Sequence, residues 1–169
     1  WDLAWDTTLR CHETSMFAAF VGQFELRSSH HAAKNPVCFL DRGSVSKMRN
    51  LVNKRQVLDA IESELQHEVR SIILKADDPT SHVVATLKNC RVMVGAHGAN
   101  MVNVIFARPA GGLVIEFLTA DLPAYYANLA ALRNHTYVGS VDHKARRYVS
   151  SRIEADIPKL REALRRYGP

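Results

Sequence analysis

The sequence has no apolar run of the roughly 20 residues needed to cross a bilayer, so no membrane helix is expected within its 169 residues. It does not begin with Met, and Trp1-Asp2-Leu3 is followed by neither the basic start nor the apolar stretch of a secretory signal. A processed chain or an excised piece is expected, reaching a membrane only through an absent N-terminal segment. Cysteine is scarce: Cys11, Cys38 and Cys90 are odd in number, widely spaced and match no zinc or redox pattern. They are expected to be buried thiols. Glycine (8) and proline (6) are too few for a low-complexity chain. The three-glycine dinucleotide fingerprint and the Walker lysine are both missing.

What is present is ordinary globular composition, 47% hydrophobic and 23% charged, at a length that suits one domain over residues 1–169. A net charge of +5 suits an anionic ligand. Much of the basic charge falls late, at Lys144, Arg146, Arg147, Arg152, Arg161, Arg165 and Arg166. Glu154, Asp156 and Glu162 are interleaved there, and no aromatic stripe offers base stacking. A solvated helix face is therefore expected rather than a nucleic-acid surface. One glycosylation acceptor triplet occurs, Asn134-His135-Thr136, which makes a secretory compartment admissible and no more.

Short apolar runs alternate with amphipathic stretches. Strands are expected at Val37–Leu40, Ser71–Leu74, Arg91–Val94, Leu113–Leu118 and Thr136–Val138. Helices are expected from Asn53 (with Val57, Leu58, Ile61 and Leu65 on one face), from a start at Asp78-Pro79-Thr80-Ser81 (followed by Val83, Val84 and Leu87), from Met101 to Phe106, from Ala124 to Arg133 and from Ile157 to Arg166. A leading helix should lie within residues 1–30, with Phe17, Phe20, Val21 and Phe24 apolar, and a helical extension within 144–169. The alternation predicts an α/β fold: a Rossmann-like, doubly wound parallel sheet covered on both faces.

In such sheets ligands bind beyond the carboxyl ends of the strands, where the strand order switches. Three places combine that position with unusual residues. The first is Gly95-Ala96-His97-Gly98-Ala99-Asn100, a turn of small residues running from a strand directly into a helix that carries Asn103. Small residues let a ligand approach the backbone, helix-start amides favour phosphate, and His97 can donate a hydrogen bond or hold a proton. An ordinary tight turn with a surface histidine has the same sequence. The second is Asp41-Arg42-Gly43-Ser44, followed by Lys47, Arg49 and Asn53, where arginines could clamp a diphosphate or simply lie on the surface. The third is Glu116 inside Leu113-Val114-Ile115-Glu116-Phe117-Leu118. A buried carboxylate needs a partner, so it either pairs with a core or loop residue or faces a cleft and accepts from a ribose hydroxyl.

The stretch from Val92 to Phe117 resembles the hallmark of glycosyltransferase family 61, which reads close to Gly-x-His-Gly-Ala-Gly-Leu-Thr-Asn, then Phe, Pro and an apolar strand containing Glu. This chain supplies Gly95, His97, Gly98, Ala99, Asn103, Phe106, Pro109 and Glu116 in that order, and Arg42, Arg49 and Asn53 are similar to an upstream arginine pattern of the family. Tyr125 or Tyr126, with Tyr137, resembles its late aromatic pattern. Asn100-Met101-Val102 stands where the family has Gly-Leu-Thr, so a side chain replaces none at Asn100.

The resemblance implies the C-terminal half of a GT-B glycosyltransferase. Its donor would be a UDP-sugar, its acceptor a protein or glycan hydroxyl, and transfer would proceed with inversion and without a metal or other cofactor. No Asp-x-Asp metal clamp is present, since Asp77-Asp78 is adjacent and followed by Pro79. In this reading Arg42, Arg49 and the Gly98-Ala99-Asn100 amides hold the diphosphate. Asn53 supports the loop, Asn103 belongs with the donor-binding residues, Glu116 meets the ribose, and His97 touches the donor or takes part in catalysis. No general base is identifiable from sequence. The family implies the Golgi or endoplasmic reticulum lumen. A degenerate or truncated binding module and a basic nucleic-acid-binding domain are the alternatives.

Overall fold

The structure, a computed structural model, describes residues 37–43, 49–107, 111–122, 124–145 and 152–169. The expected leading helix, Cys11, Ser44, Lys47, Pro109, Arg146 and Arg147 lie outside the described residues.

Five strands form one parallel sheet: β1 (Val37–Asp41), β3 (Val69–Ile73), β4 (Val92–Ala96), β5 (Leu113–Thr119) and β6 (Thr136–Asp142). Their spatial order is β3-β1-β4-β5-β6. The chain steps outward from β1 to β3, then returns to the other side of β1, so the order switches between β1 and β4. Between and after the strands come α1 (Lys54–Leu65), α2 (Thr80–Leu87), a 3-10 helix (Ala99–Phe106), α3 (Tyr125–Leu132) and α4 (Ile157–Tyr167). The expected Rossmann-like α/β sheet is what forms.

Strand parity sorts the core into two layers. Val37, Phe39, Val92, Val94, Leu113, Ile115 and Phe117 face Val57, Ala60 and Ile61 of α1 and Leu160 and Leu164 of α4. Cys38, Leu40, Met93 and Val114 face Val83 and Leu87 of α2, Met101 and Val104 of the 3-10 helix, and Ala130 of α3. Because both faces are covered, the central strands are almost wholly apolar.

The thiol expectation is corrected. Cys38, in the middle of β1, and Cys90, just before β4, form a disulfide across a Cα–Cα distance of 5.8 Å. Three cysteines, an odd number, gave no pairing by spacing alone. The expected helix after His97 is also corrected to a 3-10 helix. Met101 N bonds Gly98 O at 2.9 Å, and Asn103 Nδ2 donates to Asn100 O at 3.1 Å. Asn103 thereby binds a carbonyl that an α-helix would give to its backbone. The sixth strand runs on to Asp142 rather than stopping at Val138.

Two strands of two residues each were invisible to periodicity. β2 (Asn50–Leu51) pairs in parallel with β7 (Arg152–Ile153). That pairing draws the C-terminal segment back against α1, where Arg161 Nη1 meets Glu64 Oε1 at 2.7 Å and Arg165 Nη1 lies 3.6 Å from it. Late basic charge is thus partly neutralised within the fold.

Candidate functional site

The strand-order switch sets the carboxyl ends of β1 and β4 side by side, and three of the sequence-nominated residues meet there. Arg42 leaves β1 and donates from Nη1 to the main-chain carbonyl of His97 at 2.9 Å. Its guanidinium lies on Gly98: a Cβ at that position would sit 1.7 Å from Arg42 Nη1. Glycine is required here by contact, not by backbone strain. The His97 amide continues the β4–β5 ladder by bonding Phe117 O at 2.8 Å, which fixes where the turn begins.

On the α1 side of Arg42 opens a cleft of about 380 Å³, lined by Asp41, Arg42, Arg49 and Lys54 with Phe39 and Ile73 among its apolar walls. Asp41 pairs with Lys54 and accepts from the Gly43 amide (3.1 Å) and the Ser71 hydroxyl (3.3 Å). Burial works to raise its pKa, but the bonds from Lys54, Gly43 and Ser71 outweigh it and hold the carboxyl below its ordinary value. Arg49 takes a left-handed backbone conformation (φ 58°), and its Nε is buried without a hydrogen-bond partner among the described residues. Burial first, and then the charge of Arg49, push the Arg42 guanidinium below its ordinary pKa. Two neighbouring, partly desolvated guanidiniums make a site that favours an anion with several acceptor oxygens.

Behind the turn lies a buried polar chain. Glu116 is 0% exposed and His97 4%. Glu116 Oε1 lies 2.5 Å from His97 Nδ1, and Tyr137 Oη donates to Glu116 Oε2, also at 2.5 Å. The cross-strand partners of Glu116 are Gly95 on β4 and Gly139 on β6, so no side chain on either neighbouring strand competes for its space. A Cβ on Gly95 would meet Met101 Sδ at 2.9 Å. Burial, then the Glu116 charge and its hydrogen bond, drive the Tyr137 pKa well above the ordinary phenol value. The proton between them therefore stays on tyrosine. The rings of Tyr126 and Tyr125 pack on His97 at centroid distances of 5.4 and 6.1 Å. Burial and then Glu116 raise the Tyr126 pKa, against the opposing charges of Arg49 and Arg42.

Arg42, Arg49, His97, Gly98 and Glu116 are therefore neighbours, with Ala99 exposed and Asn100 half-buried at the start of the 3-10 helix. Asn103 holds that helix from within. Asn53 stands apart: its amide brackets the backbone of Ala155, donating from Nδ2 at 2.8 Å and accepting at Oδ1 at 2.9 Å. It ties α1 to the C-terminal segment and makes no capping bond to the backbone of its own helix start, where Nδ2 reaches only the Gln56 side chain at 3.5 Å. For Glu116, the expectation of a core or loop partner is the one met, since both carboxylate oxygens are engaged inside the fold. Tyr126 and Tyr137 enter the site through α3 and β6, and in sequence only the resemblance of Tyr125 or Tyr126, with Tyr137, to the family's late aromatic pattern marked them. The described lining of the cleft does not include His97; Arg42 connects the two. No group of three or more His, Cys, Asp or Glu among the described residues could hold a metal ion, and no described helix is long and apolar enough to cross a membrane.

Comparison with known proteins shows which family the chain is related to. The chain is 25% identical over 132 residues to the EGF domain-specific O-linked N-acetylglucosamine transferase of Drosophila melanogaster, covering 75% of this chain and 24% of that protein. It is 29% identical over 117 residues to protein O-linked-mannose beta-1,4-N-acetylglucosaminyltransferase 2 of Xenopus laevis, covering 68% of this chain and 19% of that protein. The chain thus spans a quarter or less of the length of these relatives. A family model described as Glycosyltransferase 61 matches residues 7–114, which includes Arg42, Arg49, His97 and Gly98 and ends just before Glu116. The chain belongs to the glycosyltransferase 61 family.

Proposed function

We propose that this domain is the donor-binding, C-terminal half of a GT-B glycosyltransferase, and that it positions a UDP-sugar for inverting transfer to a protein or glycan hydroxyl. The observation that carries the proposal is the Arg42 guanidinium, set on Gly98 at the strand-order switch with Arg49 beside it. The two arginines neutralise the diphosphate, and the first amides of the 3-10 helix, which lack intrahelical acceptors, add to them. As UDP leaves, negative charge grows on its β-phosphate, and fixed cations stabilise that state more than the ground state. A metal is not required for this role. Both named relatives transfer N-acetylglucosamine, which makes UDP-N-acetylglucosamine the first donor to try.

Inversion needs a base for the incoming hydroxyl. With the Nδ1 proton of His97 directed at Glu116, Nε2 is left as the acceptor, and the Tyr137 hydroxyl orients the carboxylate by donating to its other oxygen. We assign His97 as that base, Glu116 and Tyr137 as its positioning residues, and Asn53 as a structural bracket. The buried disulfide supports residence in the secretory pathway, because such bonds persist in oxidising compartments. The acceptor-binding half lies outside these residues.

The test is transfer by the full-length protein from UDP-N-acetylglucosamine, with and without a chelator, reading the anomeric configuration of the product by NMR. Inverted product formed equally in both conditions is expected. Retained configuration, or complete loss on chelation, contradicts the assigned mechanism.

A further inference from the structure

We propose that Asn134 carries an N-linked glycan, projecting from the end of the sheet opposite the donor cleft; this rests on the secretory reading above. The triplet Asn134-His135-Thr136 has the required residue types, and the fold presents them suitably. Asn134 follows the C-cap residue of α3, Arg133, in a left-handed conformation (φ 53°), one that asparagine tolerates better than most side chains. Its main chain is pinned on both sides: its amide bonds Ala131 O at 2.9 Å, and its carbonyl accepts from Gly111 N at 2.9 Å. Its side chain is exposed, and its carboxamide has no hydrogen-bond partner among the described residues.

His135 turns inward, 7% exposed, with Nδ1 accepting from the Gly112 amide at 3.1 Å. Thr136 returns to the surface as the first residue of β6. The two groups needed for modification therefore both face solvent, while the residue between them anchors the turn. Room is available as well: a Cβ on Gly111, whose amide bonds Asn134, would meet nothing within 4 Å among the described residues.

Position makes the modification compatible with donor binding. Thr136 is level with Leu113, the first residue of β5, whereas the His97 turn follows Ala96, which is level with Phe117. At about 3.3 Å per residue, the sugar starts on the order of 13 Å along the strands from the cleft end. In the reaction, Asn134 Nδ2 bonds to the anomeric carbon of an oligosaccharide carried on a polyprenyl diphosphate. The carbon–oxygen bond to that diphosphate breaks, the diphosphate leaves with the electron pair, and the amide loses one proton. The buried Cys38–Cys90 disulfide indicates passage through an oxidising compartment, where such donors are used.

The experiment is mass spectrometry of the full-length protein secreted from eukaryotic cells. The tryptic peptide from Asn134 to Lys144 is followed with and without amidase release of N-glycans, alongside the redox state of Cys38 and Cys90. Glycan on that peptide is expected, lost in Thr136→Ala and kept in Thr136→Ser, with Asn134 converted to aspartate on release. Unmodified Asn134 in material whose Cys38–Cys90 bond is formed overturns the site while leaving the compartment intact. Unmodified Asn134 together with free thiols overturns both.

Discussion

Arg42 holds the carbonyl of His97 at 2.9 Å and, in doing so, occupies the space that any side chain at position 98 would need. The strand-end arginine and the histidine-glycine turn, 55 residues apart in sequence, are thus one unit. Gly98→Ala should displace the guanidinium while leaving the sheet intact. A loss of UDP affinity of at least about tenfold, roughly 1.4 kcal/mol, is expected with an unchanged circular dichroism spectrum. Unaltered affinity would show that Arg42 does not bind donor from this position.

The buried chain of Tyr137, Glu116 and His97 makes a separate claim about catalysis. Glu116→Gln removes the charge that orients and stabilises a protonated imidazole. In the full-length protein kcat should fall by at least about tenfold, within the range of lost general-base assistance, with donor KM changed little. Tyr137→Phe should give a smaller fall and a displaced pH–rate profile, because it leaves one buried carboxylate oxygen without its donor. If both variants keep the wild-type rate and profile, His97 is not the base.

Reduction of the Cys38–Cys90 bond frees a loop of 52 residues in the unfolded chain. The chain-entropy relation puts the cost at about 4 kcal/mol. Urea unfolding of the Cys38→Ala/Cys90→Ala double variant should show a loss of that order. A change below about 1 kcal/mol would mean that the bond contributes little beyond packing.

His135 gives the domain a pH dependence of predictable sign. Burial, and then the charge of Arg133, lower its pKa to about 4, from an ordinary value near 6.5. Between those values the unfolded chain binds more protons than the folded one, so this stability is complete above about pH 6.5 and lost as pH falls toward 4. The full effect is on the order of 3 kcal/mol. His135→Gln retains an acceptor for the Gly112 amide and should flatten this part of the stability curve. An equally steep curve in the variant assigns the dependence to other groups.

The sheet was legible in sequence because strands covered on both faces must be almost wholly apolar, and Val37–Leu40 and, but for Glu116, Leu113–Leu118 announce that directly. The site was legible in part, because a turn of small residues between a strand and a helix is unusual in itself. What could not be read there depended on contacts made only after folding. Glu116 gave notice that it needed a partner but not that it had two, one of them from β6. Asn53 has the residue type of a helix cap, yet its amide is committed to Ala155, which is distant in sequence. The Cys38–Cys90 pair was obscured by Cys11, since spacing alone gives no pairing. β2 and β7 are too short to show any period.

The central claim is that the Arg42–Arg49 cleft binds the diphosphate of a UDP-sugar. It is tested most directly by calorimetric titration of UDP into the wild-type protein and into Arg49→Ala, with GDP, ADP and inorganic diphosphate as comparators. Selective UDP binding is expected, weakened at least about tenfold in the variant. Equal binding of every polyanion, or UDP affinity indifferent to Arg49, would contradict the donor site and leave only a basic surface on a family 61 fold.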